Sequence, residues 1–123
     1  MPGMENSAVM PLPVDDVSTL QQYLAGVVHR ADHHADNVRY VVLPLIGTII
    51  LFKSPDYEIK VLAHDGETKN VLWVHIGTSK FAFSYDHHSK SIVMKRGSTQ
   101  GAVLAHFTNA TTVPEILNVF GTL

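Results

Sequence analysis

The sequence predicts an α+β fold: an N-terminal amphipathic helix, an antiparallel sheet of six or seven strands in meander order, and a short C-terminal helix. Three observations predict it. Apolar residues recur at three- and four-residue steps up to about residue 35, β-branched and aromatic runs separated by turn residues fill 38–107, and a compact capped apolar segment follows. No helix-length segment interrupts the strands, so neighbours in sequence are expected to pair antiparallel.

The first helix is placed at about residues 16–35. Val17, Leu20, Leu24, Val27, Val28, Ala31 and Ala35 form one apolar stripe. Asp15 or Ser18 can cap it, Ser18 with Gln21 at capping-box spacing. Strands are then expected at Val38–Leu43 and Leu45–Lys53, parted at Pro44, which cannot donate to a central ladder. Further strands follow at Tyr57–His64, Asn70–Ile76, Lys80–Tyr85, Ser91–Arg96 and Ala102–Phe107. The separators SPD, HDGE, GTS, DHHSK and RGSTQG are turn chemistry, and Asp65-Gly66 is the clearest hairpin signal among them. The last helix lies in TTVPEILNVFG. Thr112 caps it, Pro114 sits in its first turn, Glu115 closes a Thr-x-x-Glu box and Gly121 stops it.

Two segments, LIGTIILF and VLWVHI, are apolar on both faces of a strand, so both sheet faces there should be covered. Two helices, one of them short, do not cover both faces of a six-stranded sheet. Either the sheet curls into a barrel or a second subunit closes the open face. Seven strands ending in a capping helix resemble the pleckstrin-homology superfold in architecture. No residue motif accompanies that resemblance, which implies an alternative topology and nothing about function.

With 123 residues the chain has the length of one domain, read as a flexible segment over 1–12 and a single α+β domain over 13–123. Charged residues make up 16% of it, below the roughly 25% usual for globular proteins, which favours self-association over a monomer. A net charge of −2 gives no electrostatic reason to expect nucleic acid or an anionic membrane as partner. Cysteine is absent, which excludes disulfides, thiolate catalysis and cysteine zinc sites. The N-terminal stretch has no apolar signal region, and the greasiest run, Tyr40 to Phe52, is too short to span a bilayer, so a cytoplasmic location is expected.

The chemistry concentrates in HRADHHAD, His29 to Asp36, with three histidines and two aspartates in eight residues. On a helical wheel His29, His33 and Asp36 fall within about 60° of one another, opposite the apolar stripe. That makes them a wet or interface face. His29 and His33, at i and i+4, also have the spacing that aims two imidazoles at one divalent metal ion. Asp36 is about 10 Å along the axis from His29 and cannot share that ion. A third ligand would have to come from His64 or from the turn at Asp86–Ser89. Gly26 on the same side would let another backbone approach closely, so His29, His33, Asp36 and Gly26 are the interface or ligand candidates. His75 and His106 alternate within apolar strands and read as core or rim residues. Trp73, Phe81, Phe83, Tyr85 and Phe107 read as core, or alternatively as the lining of an apolar ligand pocket between the sheet and the first helix.

Catalytic and phosphate-loop motifs are missing, and no catalytic, cofactor or metal residue is assigned. The function read from this is a small binding or interaction domain that self-associates. Two alternatives stay open: a metal-dependent hydrolase or metal-binding protein using His29 and His33, and a carrier of an apolar small molecule between the sheet and the first helix. If His29 and His33 lie in a subunit contact, assembly should change between about pH 7.5 and 5.5, where imidazoles titrate.

Overall fold

A computed structural model describes residues 16–31, 36–64 and 67–123. The N-terminal segment, His33 and the Asp65-Gly66 turn lie outside the described residues. The order is helix α1 (Asp16–Ala31), a 3-10 turn at Asp36–Val38, helix α2 (Val42–Phe52), strands β1 (Lys60–His64), β2 (Glu67–Ile76), β3 (Ser79–Asp86), β4 (Ser91–Arg96) and β5 (Val103–Phe107), and helix α3 (Val113–Gly121). The strands form one antiparallel sheet in the order β1-β2-β3-β4-β5.

The largest departure from expectation is α2, where two strands are predicted and one helix stands. The run from Tyr40 to Phe52 has no charged residue to mark a polar face, so its β-branched content reads as strand. Yet Val42, Leu45, Ile46 and Ile49 are buried at i, i+3, i+4 and i+7, the helical period. Pro44 falls in the first turn, where no intrahelical N–H is needed. The Thr48 hydroxyl donates to the Pro44 carbonyl at 2.8 Å, the i−4 contact of a helix. Among the described residues the sheet therefore has five strands and is open, and neither the barrel nor the seven-strand architecture is seen.

The start of α2 has no side-chain cap of its own. Asn109, beyond β5, supplies one from a distance. Its Oδ1 accepts from the Tyr40 and Val41 N–H groups at 2.8 and 3.0 Å, and its Nδ2 donates to the Asp36 carbonyl at 2.9 Å. The Asn109 N–H donates to the Asn37 carbonyl at 2.8 Å. Asn109→Ala should cost about 1–3 kcal/mol in chemical denaturation, because two helix-entry donors lose their partner. A cost below about 0.5 kcal/mol, the scatter of surface sites, would show that water replaces the amide.

All three helices share one sheet face. Leu20 and Tyr23 of α1, Val42, Leu45, Ile46 and Ile49 of α2, and Ile116 and Phe120 of α3 form one core with Leu72, Val74, Phe81, Phe83, Ile92, Met94 and Phe107. Pairing aligns the inward positions into a row, Leu72 with Phe83, Phe83 with Met94, Met94 with Ala105. Tyr23, absent from the predicted apolar stripe, is fully buried, while Val17 of that stripe is exposed and Leu24 half-buried. Among the described residues the Tyr23 hydroxyl finds no partner, and burial pushes its pKa up. The C-terminal helix starts as predicted: Thr112 Oγ1 accepts from the Glu115 N–H, and Glu115 Oε1 accepts from the Thr112 N–H at 2.8 Å, but Gly121 does not stop it, being the last helical residue with Thr122 as the C-cap. That bond holds the Glu115 carboxyl below its usual range.

Candidate functional site

The second sheet face carries no helix of this core. Its positions in β2, Val71, Trp73 and His75, are half-buried, while Ala82 and Val93 further along the same face are buried, so among the described residues this face of VLWVHI is covered only in part. At one corner of this face is a pocket of about 420 Å³ lined by Lys60, Trp73, His75 and Lys80 from the strands and Asp56, Tyr57 and Glu58 from the segment before β1.

The local fold follows from how α2 ends. Ser54, buried just past the helix, donates its N–H to the His75 carbonyl at 2.7 Å, which ties the chain to the end of β2. Its hydroxyl accepts from the Asp56 N–H at 3.4 Å, turning the backbone at Pro55. Ile59 is buried in the core and fixes the other side of the segment. Tyr57 is thereby laid over His75, their rings stacked at 3.9 Å and 13°. The tight turn at Gly77, with φ +63°, closes β2 onto β3. It sets His75 opposite Lys80, while β1 sets Lys60 opposite Trp73. Directly paired side chains stand about 4.5–5.5 Å apart at Cβ, so each ring has an ammonium-bearing neighbour across the strand.

This pocket takes in His75 and Trp73, which the sequence reading assigned to core or rim, and Tyr57, Lys60 and Lys80, which it did not single out. The legible signal was pairing arithmetic: a two-residue turn at Gly77-Thr78 sets His75 against Lys80. Tyr57 on His75 is a tertiary contact and has no such signal.

The predicted candidates are placed as follows. The His29 side chain and all of His33 lie outside the described residues. Asp36 is exposed in the 3-10 turn, its carboxylate 4.0 Å from Arg39. Gly26 is half-buried, with open space where a Cβ would stand. Asn37 Nδ2 donates to the Lys90 carbonyl at 2.9 Å, which brings the turn bearing His87 and His88 beside the 3-10 turn that begins at Asp36, the last residue of HRADHHAD. Among the described residues no group of three or more His, Cys, Asp or Glu is placed to hold a metal ion.

His106 ends a hydrogen-bonded line on the same open face. The Ser89 hydroxyl donates to Asp86 Oδ2 at 2.8 Å and lies 2.7 Å from the Ser91 hydroxyl, which is 3.0 Å from His106 Nδ1. Ser91 is 2% exposed and already held by two partners, so this line ties a turn to a strand rather than presenting a nucleophile. The Ser89 hydroxyl and the His88 N–H hold the Asp86 carboxyl below its usual range.

The third feature is the outward side of α2, where Leu43, Ile50 and Leu51 are 57%, 53% and 70% exposed. With Gly47 they span about 100° of the helix. No helix among the described residues is long and apolar enough to cross a membrane.

Among the described residues, three helices on one face of an open five-stranded meander define a small α+β domain with no helix on its second sheet face. The chain belongs to the family described as integron cassette protein VCH_CASS1 chain, whose model matches residues 20–117. No curated protein matches it significantly.

Proposed function

We propose that the protein is a non-enzymatic binding domain that works as a homodimer, with the outward stripe of α2 as the subunit contact. The observation that carries this reading is the exposure of Leu43, Ile50 and Leu51 on a helix apolar all round. Such helices are otherwise found buried. Beside it α3, packed against α2 through the Phe52–Phe120 ring contact at 5.7 Å, exposes Val113 and Leu117. These side chains form the apolar centre of a contact whose standard size is about 800 Å² per partner.

A second copy of the chain fits the surface better than an unlike partner. From Tyr40 to Phe52 there is no charge to complement a charged surface, and an uncharged stripe meets its own copy across a two-fold axis without charge matching. Gly47, at mid-stripe, lets the two helices approach closely. The contact thus moves from the Gly26 face of the first helix to α2.

Light scattering should give twice the protomer mass of 13.5 kDa across the micromolar range. Ile50→Glu, which sets two carboxylates against apolar surface, should give the protomer mass with an unchanged far-ultraviolet circular dichroism spectrum. A wild-type protein at the protomer mass throughout that range overturns the dimer. The carrier alternative places its ligand between the sheet and α1, where Leu20, Tyr23, Leu72 and Val74 are buried in one core. A pocket with space for a ligand lies on the other side of the sheet.

A further inference from the structure

We infer that the pocket on the second sheet face binds a small planar aromatic molecule that carries both an anionic group and a hydrogen-bond donor. This rests on the binding reading above and not on dimerisation. The volume of about 420 Å³ falls within the roughly 300–1,000 Å³ of small-molecule sites. Three rings line it. Tyr57 and His75 are already stacked at 3.9 Å, and a half-buried Trp73 stands two residues along the same strand on the same face. Aromatic faces exposed in a concave site gain most from another flat ring, through offset stacking worth about 0.5–1.5 kcal/mol beyond area burial.

The charged groups select the rest of the ligand. Lys60 and Lys80 flank β2 from its two neighbouring strands, one opposite Trp73 and the other opposite His75. Their ammonium groups are donors only and suit a carboxylate or phosphate. Asp56 and Glu58, on either side of Tyr57, are acceptors when ionised and suit an amino group or ring N–H. Two cations and two anions around aromatic faces disfavour a neutral hydrocarbon and a simple anion alike. They match a molecule that is itself amphoteric and flat. Two sources share this chemistry: a nucleoside monophosphate with an amino-bearing base, and an aromatic amino acid.

Trp73 is the only tryptophan, so the intrinsic fluorescence of the full chain reports on this pocket directly. The probes are adenosine 5′-monophosphate and L-phenylalanine, with adenosine and inorganic phosphate as fragments lacking the anion and the ring. A saturable fluorescence change is expected with at least one probe, about tenfold or more tighter than with either fragment, and which probe gives it separates the two sources. Lys60→Gln with Lys80→Gln should weaken that binding by about tenfold or more, as loss of charge-assisted bonds does. His75→Ala should weaken it while leaving the fold, because the side chain is outside the helix-covered core. Ile50→Glu should bind as wild type, which keeps failure of the dimer distinct from failure of this site. No saturable change with either probe, or a change untouched by the His75 and lysine substitutions, overturns the inference.

Discussion

Phe83→Ala is expected to lower stability by about 3–5 kcal/mol, as truncating a buried phenylalanine does. Small domains hold about 5–15 kcal/mol in all, so this removes a third or more of what keeps the chain folded. Phe83 is fully buried in the middle strand and pairs across the sheet with Leu72 on one side and Met94 on the other. Its ring also joins sheet to helix. It stacks on Phe120 of α3 at 6.1 Å and tilts against Phe107 of β5 at 6.5 Å. Both neighbours are anchored by their own strand and helix, so they cannot collapse into the space left behind, and the cavity term adds to the lost transfer energy. Urea denaturation of the variant beside wild type checks this. A loss under about 1.5 kcal/mol, the range of tolerated volume-conserving swaps, would mean that the α3 packing is looser than its ring contacts imply.

The second large effect separates the helix from the strand at residues 42–52. Two leucines two positions apart share one face of a strand but lie on opposite sides of a helix. Leu45 is fully buried and Leu43 is 57% exposed. Leu45→Ala should therefore cost about 2–5 kcal/mol. Leu43→Ala should stay within about 0.5 kcal/mol. Both are measured in the Ile50→Glu background so that loss of a subunit contact does not enter. Equal costs at the two positions would restore the strand reading and, with it, a sheet of more than five strands.

How far the sequence was legible differs from element to element for physical reasons. Ser91–Arg96 is β4 to the residue, because turn residues bound it on both sides and its β-branched run has no competing period. The Thr112–Glu115 box places the start of α3, because capping is a bond between residues three apart and needs nothing from the rest of the chain. Tyr40 to Phe52 carried a helical period in its buried positions, but Leu43, Ile50 and Leu51 filled the outward ones with apolar residues and hid it. The i, i+3, i+4 and i+7 spacing of Val42, Leu45, Ile46 and Ile49 was the available clue. The candidate site was less legible still. His75 and Trp73 were noticed but assigned to core or rim, because Tyr57 over His75 is a contact that only the folded chain makes.

By itself the sequence determined the α+β class, the antiparallel meander, both terminal helices and the absence of thiol chemistry, all of which follow from local periodicity, turn residues and composition. Only the tertiary structure decided three other things. Asn109 caps α2 from 68 residues away. The three helices of the described residues gather on one sheet face and leave the other without a helix. Tyr57 is folded over His75 because Ser54 bonds the end of β2. Each depends on contacts between segments far apart in the chain, whose energies no window of neighbouring residues contains. A run apolar on every side takes its conformation from whichever distant partners satisfy its backbone and cover its widest face, and here those partners were Asn109 and the sheet.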